Sequence, residues 1–103
     1  MPVMLISLGG NLGDRKALTD VAVDRIASLP GTHLIARSGY YRTEPVGPVR
    51  QEWFLNTAIM VDTTLTAEAL GRAGKSIEVA LGRDRSKEIA WGPRLIDIDV
   101  LDP

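Results

Sequence analysis

Asp97 and Asp99 stand two residues apart in a segment, 95–101, whose other positions are all apolar: Leu95, Ile96, Ile98, Val100 and Leu101. A strand would turn both carboxylates to one face, about 7 Å apart along the backbone, and leave Ile96, Ile98 and Val100 on the other. Carboxylate oxygens suit magnesium, which keeps several waters and is usually held by one or two acids together with substrate phosphates. Such a pair can also share two metal ions that clamp a polyphosphate. Alone, an Asp-x-Asp pair is weak, because alternation on a half-exposed strand puts acids into water with no further purpose. The approach to the pair strengthens it. Arg83, Arg85, Lys87 and Arg94 gather cations just before the strand, with Asp84 and Glu88 among them, and Trp91-Gly92-Pro93 stiffens the entry. The planar fork of arginine matches phosphate oxygens. A basic loop closing over a triphosphate would exclude water.

The rest of the chain must position these groups. Its 103 residues suffice for a single domain. With 45 % apolar residues, such a domain can bury roughly 60–70 % of the surface its unfolded chain exposes. Cysteine is absent, which excludes disulfides and thiolate metal sites and fits a reducing compartment. No apolar run is long enough to span a bilayer, and the start lacks the basic flank and cleavage site of a signal peptide. A cytoplasmic protein with no membrane partner is expected. The net charge of −1 gives no global attraction for nucleic acid. Any anion site must be local.

Residues 3–8 read as a buried strand that breaks at Gly9, Gly10, Asn11 and Gly13. Those glycines would permit close approach of a ligand to the backbone, or form an ordinary turn. Asp14 is a helix cap, followed by Leu18, Val21, Ala22, Ile26 and Leu29 at helical spacing until Pro30-Gly31. Residues 32–41 suit a strand in which His33 lies on the surface, and 42–53 a long loop. Residues 54–63 alternate, with Leu55, Thr57, Ile59 and Val61 opposite Phe54, Asn56, Ala58 and Met60. Thr66 caps a second helix carrying Leu70, Ala73, Ile77, Ala80 and Leu81, which ends at Gly82. Gly71 and Gly74 inside it cost roughly 1 kcal/mol each against alanine. A loop over 82–94 and a strand over 95–101 complete an α+β, ferredoxin-like βαββαβ sandwich, with an antiparallel sheet and both helices on one face.

The run Trp91-Gly92-Pro93-Arg94-Leu95-Ile96-Asp97-Ile98-Asp99-Val100-Leu101 resembles the signature of the 6-hydroxymethyl-7,8-dihydropterin pyrophosphokinases of folate synthesis. Segments 8–14 (LGGNLGD), 41–47 (YRTEPVG) and Phe54-Leu55-Asn56 agree in order, so the resemblance spans nearly the whole chain. It implies transfer of pyrophosphate from ATP to a reduced pterin, with release of AMP. It also implies two Mg2+ ions on Asp97 and Asp99, and a catalytic set completed by Arg83 and Arg94. Glu78, Arg83, Arg85, Trp91 and Arg94 would lie at the nucleotide, the arginines and Trp91 in a flexible loop that covers the phosphates. Lys75 stands where many members carry glutamine. The flat pterin needs an aromatic face and an amide edge, which Phe54 and Asn56 supply from one strand face. Backbone groups around Thr43, Pro45 and Val46 complete that pocket. Members of the family usually continue past the aspartate strand, where a histidine, an arginine and a second aromatic meet the ligands. Those groups have no counterpart within these 103 residues.

Three functions follow as expectations. The first is a pyrophosphokinase, its missing wall supplied by a second copy of the chain in a homo-oligomer. The second is a non-catalytic relative that still holds Mg-ATP or pterin. The third is a ferredoxin-like interaction domain that self-associates through an exposed sheet edge.

Overall fold

A computed structural model describes residues 2–89 and 92–101. The elements are β1 (Val3–Gly10), α1 (Arg15–Ala27), β2 (Thr32–Arg37), β3 (Tyr41–Thr43), β4 (Phe54–Thr63), α2 (Ala67–Ala80) and β5 (Asp97–Leu101), with one 3-10 turn at Arg85–Lys87. The sheet is antiparallel in the order β2-β4-β1-β5, and β3 pairs with the start of β4. Both helices pack on one face of the sheet, the expected ferredoxin-like arrangement. No helix among the described residues is long and apolar enough to cross a membrane.

Alternation decides which face each strand buries. Met4, Ile6 and Leu8 of β1, Ile59 and Val61 of β4, and Ile98 of β5 point into the core beneath the helices. The opposite positions, Leu5, Met60 and Leu101, are partly exposed on the helix-free face. Asp97 and Asp99 fall on that face too.

The expected single strand over 32–41 is in fact two. A register shift follows Leu34, and the chain leaves β4 before rejoining it as β3. Tyr40 lies in this interruption and turns toward α1. Its hydroxyl reaches back to the Asp20 carboxylate on α1, where Arg37 Nη2 also donates at 2.6 Å. The Tyr40 hydroxyl and the Arg37 guanidinium hold the Asp20 carboxyl down to about 2. The expected loop over 42–53 therefore begins within a strand, and the expected strand over 95–101 begins only at Asp97. On α1 the buried residues are Thr19, Ala22, Val23 and Ile26, while Val21 is exposed. On α2 they are Leu70, Gly74, Ile77 and Glu78, and Ala80 is exposed. Asp14 and Thr66 cap the helices as expected, accepting from Ala17 N and Ala69 N at 3.1 Å each.

The two glycines of α2 have different reasons. A β-carbon on Gly74 would lie 3.0 Å from Ile98 Cγ2, so Gly74 lets α2 cross close over the strand that bears the aspartates. A β-carbon on Gly71 would meet nothing within 4 Å. Gly71→Ala is therefore expected to stabilise the fold by up to about 1 kcal/mol. Gly74→Ala should yield no such gain, because its methyl must push Ile98. Thermal denaturation of the two variants checks the contrast, and equal gains would disprove the close-crossing account.

Candidate active site

The sheet register builds the site. In one row across three strands, Asn56 of β4 faces Gly9 of β1, which faces Asp97 of β5; in the next, Ala58 faces Ser7, which faces Asp99. Gly9 has no side chain to separate the outer two. A β-carbon there would sit 2.2 Å from Asn56 Oδ1, and one on Gly10 would sit 2.3 Å from Leu95 O. The close approach that these glycines permit is thus made by the chain itself: Asn56 lies over Gly9, and the Arg94–Leu95 backbone lies against Gly10.

The two aspartates share a face, as alternation predicts. Asp97 accepts from Arg83 Nη1 at 2.9 Å and from Arg94 Nη1 at 3.3 Å. Asp99 is exposed and borders a cleft of about 290 Å³ between α2 and β5, together with Gly71, Lys75, Ile98 and Val100. The two carboxyls interact directly. Burial raises the Asp97 carboxyl, but the hydrogen bond with Asp99 and the Arg83 guanidinium outweigh it and hold Asp97 below its ordinary range. Burial and the neighbouring Asp97 charge push Asp99 up. Two crowded acids, one open to a cleft and the other tied partly to a half-exposed arginine, form a donor set that suits a hard divalent cation. Among the described residues no group of three or more acidic or histidine side chains could hold a metal. A cation here would complete its shell with water or ligand oxygens.

Arg83 differs from the expectation. Rather than sitting on a mobile loop, its guanidinium is 3 % exposed. It donates to Glu78 Oε1, both Glu88 oxygens, Asp97 Oδ1 and Ile96 O at 2.8–3.1 Å. The carboxylates around it raise its pKa further, Glu88 foremost. Glu78 is buried as well. Its Oε2 accepts from the Ile98 N–H at 2.7 Å, the amide between the two aspartates. Glu78, which the resemblance places at the nucleotide, is a fully buried acid satisfied by Arg83 and this amide. Arg85 is mostly exposed on the 3-10 turn, at the rim of this cluster. Trp91 lies outside the described residues.

The residues expected around a flat ring do converge. Thr43, Glu44, Pro45, Val46 and Phe54 line a cleft of about 340 Å³ together with Gly92 and Arg94. Asn56 Nδ2 donates to Thr43 Oγ1 at 2.8 Å, which fixes the amide beside this cleft. Asn11 and Glu88, noted in the sequence only as a turn residue and as an acid among the cations, take part in the hydrogen bonding around the site. Asn11 could have been suspected as the one amide in the Gly-Gly-Asn break. Glu88 carries no signal in sequence, since only folding brings it to Arg83.

The sequence is similar to known proteins over most of its length. The profile of the family described as 7,8-dihydro-6-hydroxymethylpterin-pyrophosphokinase (HPPK) matches residues 5–102. The chain is 50 % identical over 96 residues to a 2-amino-4-hydroxy-6-hydroxymethyldihydropteridine pyrophosphokinase of Methylorubrum extorquens, covering 93 % of this chain and 60 % of that protein. Proteins of the same name from Pseudomonas aeruginosa and Bacillus subtilis are 38 % and 37 % identical, each with 58 % of its length covered. The chain thus spans under two thirds of the length of these relatives. It belongs to the 7,8-dihydro-6-hydroxymethylpterin-pyrophosphokinase family.

Proposed function

We propose that the protein transfers pyrophosphate from ATP to 6-hydroxymethyl-7,8-dihydropterin in the cytoplasm, giving AMP and the pterin diphosphate. One observation carries the reading. Arg94 borders the ring cleft with one part of its length and reaches Asp97 Oδ2 with its guanidinium. A group passing from a triphosphate at the aspartates to an alcohol on the ring would pass Arg94.

Phe54 offers the ring a face, and the Asn56 amide, preset by Thr43, matches its edge. The nucleoside end would lie in the cleft beside Asp99 and Lys75. Asp97 and Asp99 would hold magnesium, two ions in this reading, which when bound neutralises the triphosphate and aligns it. Arg94 can then leave Asp97 for phosphate oxygens, and Arg85 closes from the rim. The hydroxymethyl oxygen attacks the β-phosphorus, the bond to the α–β bridging oxygen breaks, and AMP leaves. The hydroxyl proton passes to water. Positioning and charge, more than a strong base, drive such a transfer.

An AMP-release assay on the purified chain tests this. AMP is expected only when pterin and magnesium are both present. Magnesium-dependent ATP binding without AMP would mark a binding module instead, and self-association with neither would mark an interaction domain. Asn56→Ala should raise the pterin KM about three- to tenfold, the worth of one net hydrogen bond, and leave the ATP KM within twofold. An equal rise in both would indicate a folding defect.

A further inference from the structure

We infer that Asn11 is a positioning residue that sets the spacing between two segments that line the ring cleft, the one through Arg94 and the one leading into Phe54. It is 3 % exposed, directly follows β1, and does not itself line the ring cleft. Its own N–H donates to Arg94 O at 2.9 Å, and its side-chain Oδ1 accepts from Arg94 N at 2.8 Å, so the Arg94 backbone is held by Asn11 at both its N–H and its carbonyl. From the other side of the amide, Nδ2 donates to Glu52 O and to Gln51 Oε1, each at 2.8 Å. The segment that brings Arg94 to the cleft is thereby tied to the segment that leads into Phe54.

The chemistry requires an amide. Toward Arg94 the side chain must accept, and toward Glu52 O it must donate; asparagine does both and aspartate only the first. Gly10, whose β-carbon would strike Leu95 O, lets the Arg94–Leu95 segment come close enough to β1 for the Asn11 side chain to reach it. A fully satisfied buried amide holds one arrangement, and reaction geometry is sensitive to displacements of about 1 Å. Which ring the spacing serves rests on the pyrophosphokinase reading: a flat, reduced heteroaromatic bearing a hydroxymethyl group.

The test compares Asn11→Ala and Asn11→Asp with the wild-type chain. Hydrogen exchange on the ligand-free protein is the first readout. Asn11→Ala should speed exchange of the Arg94 amide at least tenfold and leave the amides of β1 and β4 unchanged. Calorimetry with 6-hydroxymethyl-7,8-dihydropterin and with a non-hydrolysable magnesium–ATP analogue is the second. The pterin Kd should rise about tenfold and the nucleotide Kd by less than threefold. Should Asn11→Ala not fold, Asn11→Asp decides: it is expected to keep the Arg94 amide protected and still lose pterin affinity. Arg94 protection unchanged in Asn11→Ala, pterin affinity unchanged in Asn11→Asp, or parallel loss of both affinities with protection lost throughout, would each overturn the inference. A wild-type chain that binds no pterin would refute the functional reading instead, and the exchange data would still decide whether Asn11 clamps the two segments.

Discussion

Exchanging Asp97 and Asp99 together for alanine is expected to abolish magnesium-dependent nucleotide binding, with the calorimetric heat of a magnesium–ATP analogue falling to its metal-free level. The single variants should separate site from scaffold. Asp99 is exposed, its carboxyl is pushed up by burial and by Asp97, and its removal relieves a like-charge contact. Asp99→Asn is thus expected to fold as stably as the wild type, or more so, and yet lose the metal. Asp97→Asn should lose the metal and some stability, since Arg83 and Arg94 both point at its carboxylate. A residue kept for structure would show the reverse in Asp99→Asn, with stability lost and binding kept. Nucleotide binding that survives in the double variant would remove the metal assignment altogether.

Pairing carries a pH consequence of definite sign. The Asp97 carboxyl titrates below its unfolded value, so its contribution to stability is present above the ordinary carboxylate range and is lost as pH falls through the folded value. Asp99 is shifted the other way, so its share weakens as pH rises through that range.

The second large effect is expected at Arg83. Arg83→Met should destabilise the fold by about 3–5 kcal/mol, the cost of leaving buried charges without their partner. Three carboxylates, Glu78, Glu88 and Asp97, converge on this guanidinium, and the first is as buried as the arginine. For a domain of this size 1 kcal/mol is worth about 4–8 °C in Tm, so a drop well beyond 10 °C should be seen. Arg85→Met is the control. Its side chain is 60 % exposed, and its ion pair with Glu78 is long at 3.5 Å, so the loss should stay within about 0.5 kcal/mol. Activity discriminates in the opposite sense: if the exposed cation grips phosphates, Arg85→Met lowers kcat while the melting curve stays put. A small stability loss in Arg83→Met, equal to that of Arg85→Met, would refute the buried clamp. Removing Arg83 and Glu78 together should cost less than the sum of the single losses, because neither charge is then stranded.

Much of this fold was legible in the residues. Alternation in 54–63 assigned the faces of β4, because a two-residue period on a half-buried strand leaves little choice. The capping residues Asp14 and Thr66 and the stop at Pro30-Gly31 placed the helices, since these are local effects that need no tertiary partner. The Asp-x-Asp spacing placed two carboxylates on one face for the same local reason. The break in 32–41 was hidden because it accompanies contacts between distant segments, such as Tyr40 with Asp20 on α1, 20 residues apart in sequence.

The amino-acid sequence alone determined the family, the order of elements and the types of side chain available for metal, phosphate and ring. Tertiary structure alone decided what each cation does. Arg83, Arg85 and Arg94 look alike in a short basic stretch, yet burial gives Arg83 to Glu78, Glu88 and Asp97, leaves Arg85 largely in solvent, and sets Arg94 at the ring cleft with its guanidinium on Asp97. A charge's role depends on its solvation and its nearest opposite charge, and both are properties of packing between distant segments that no spacing along the chain encodes.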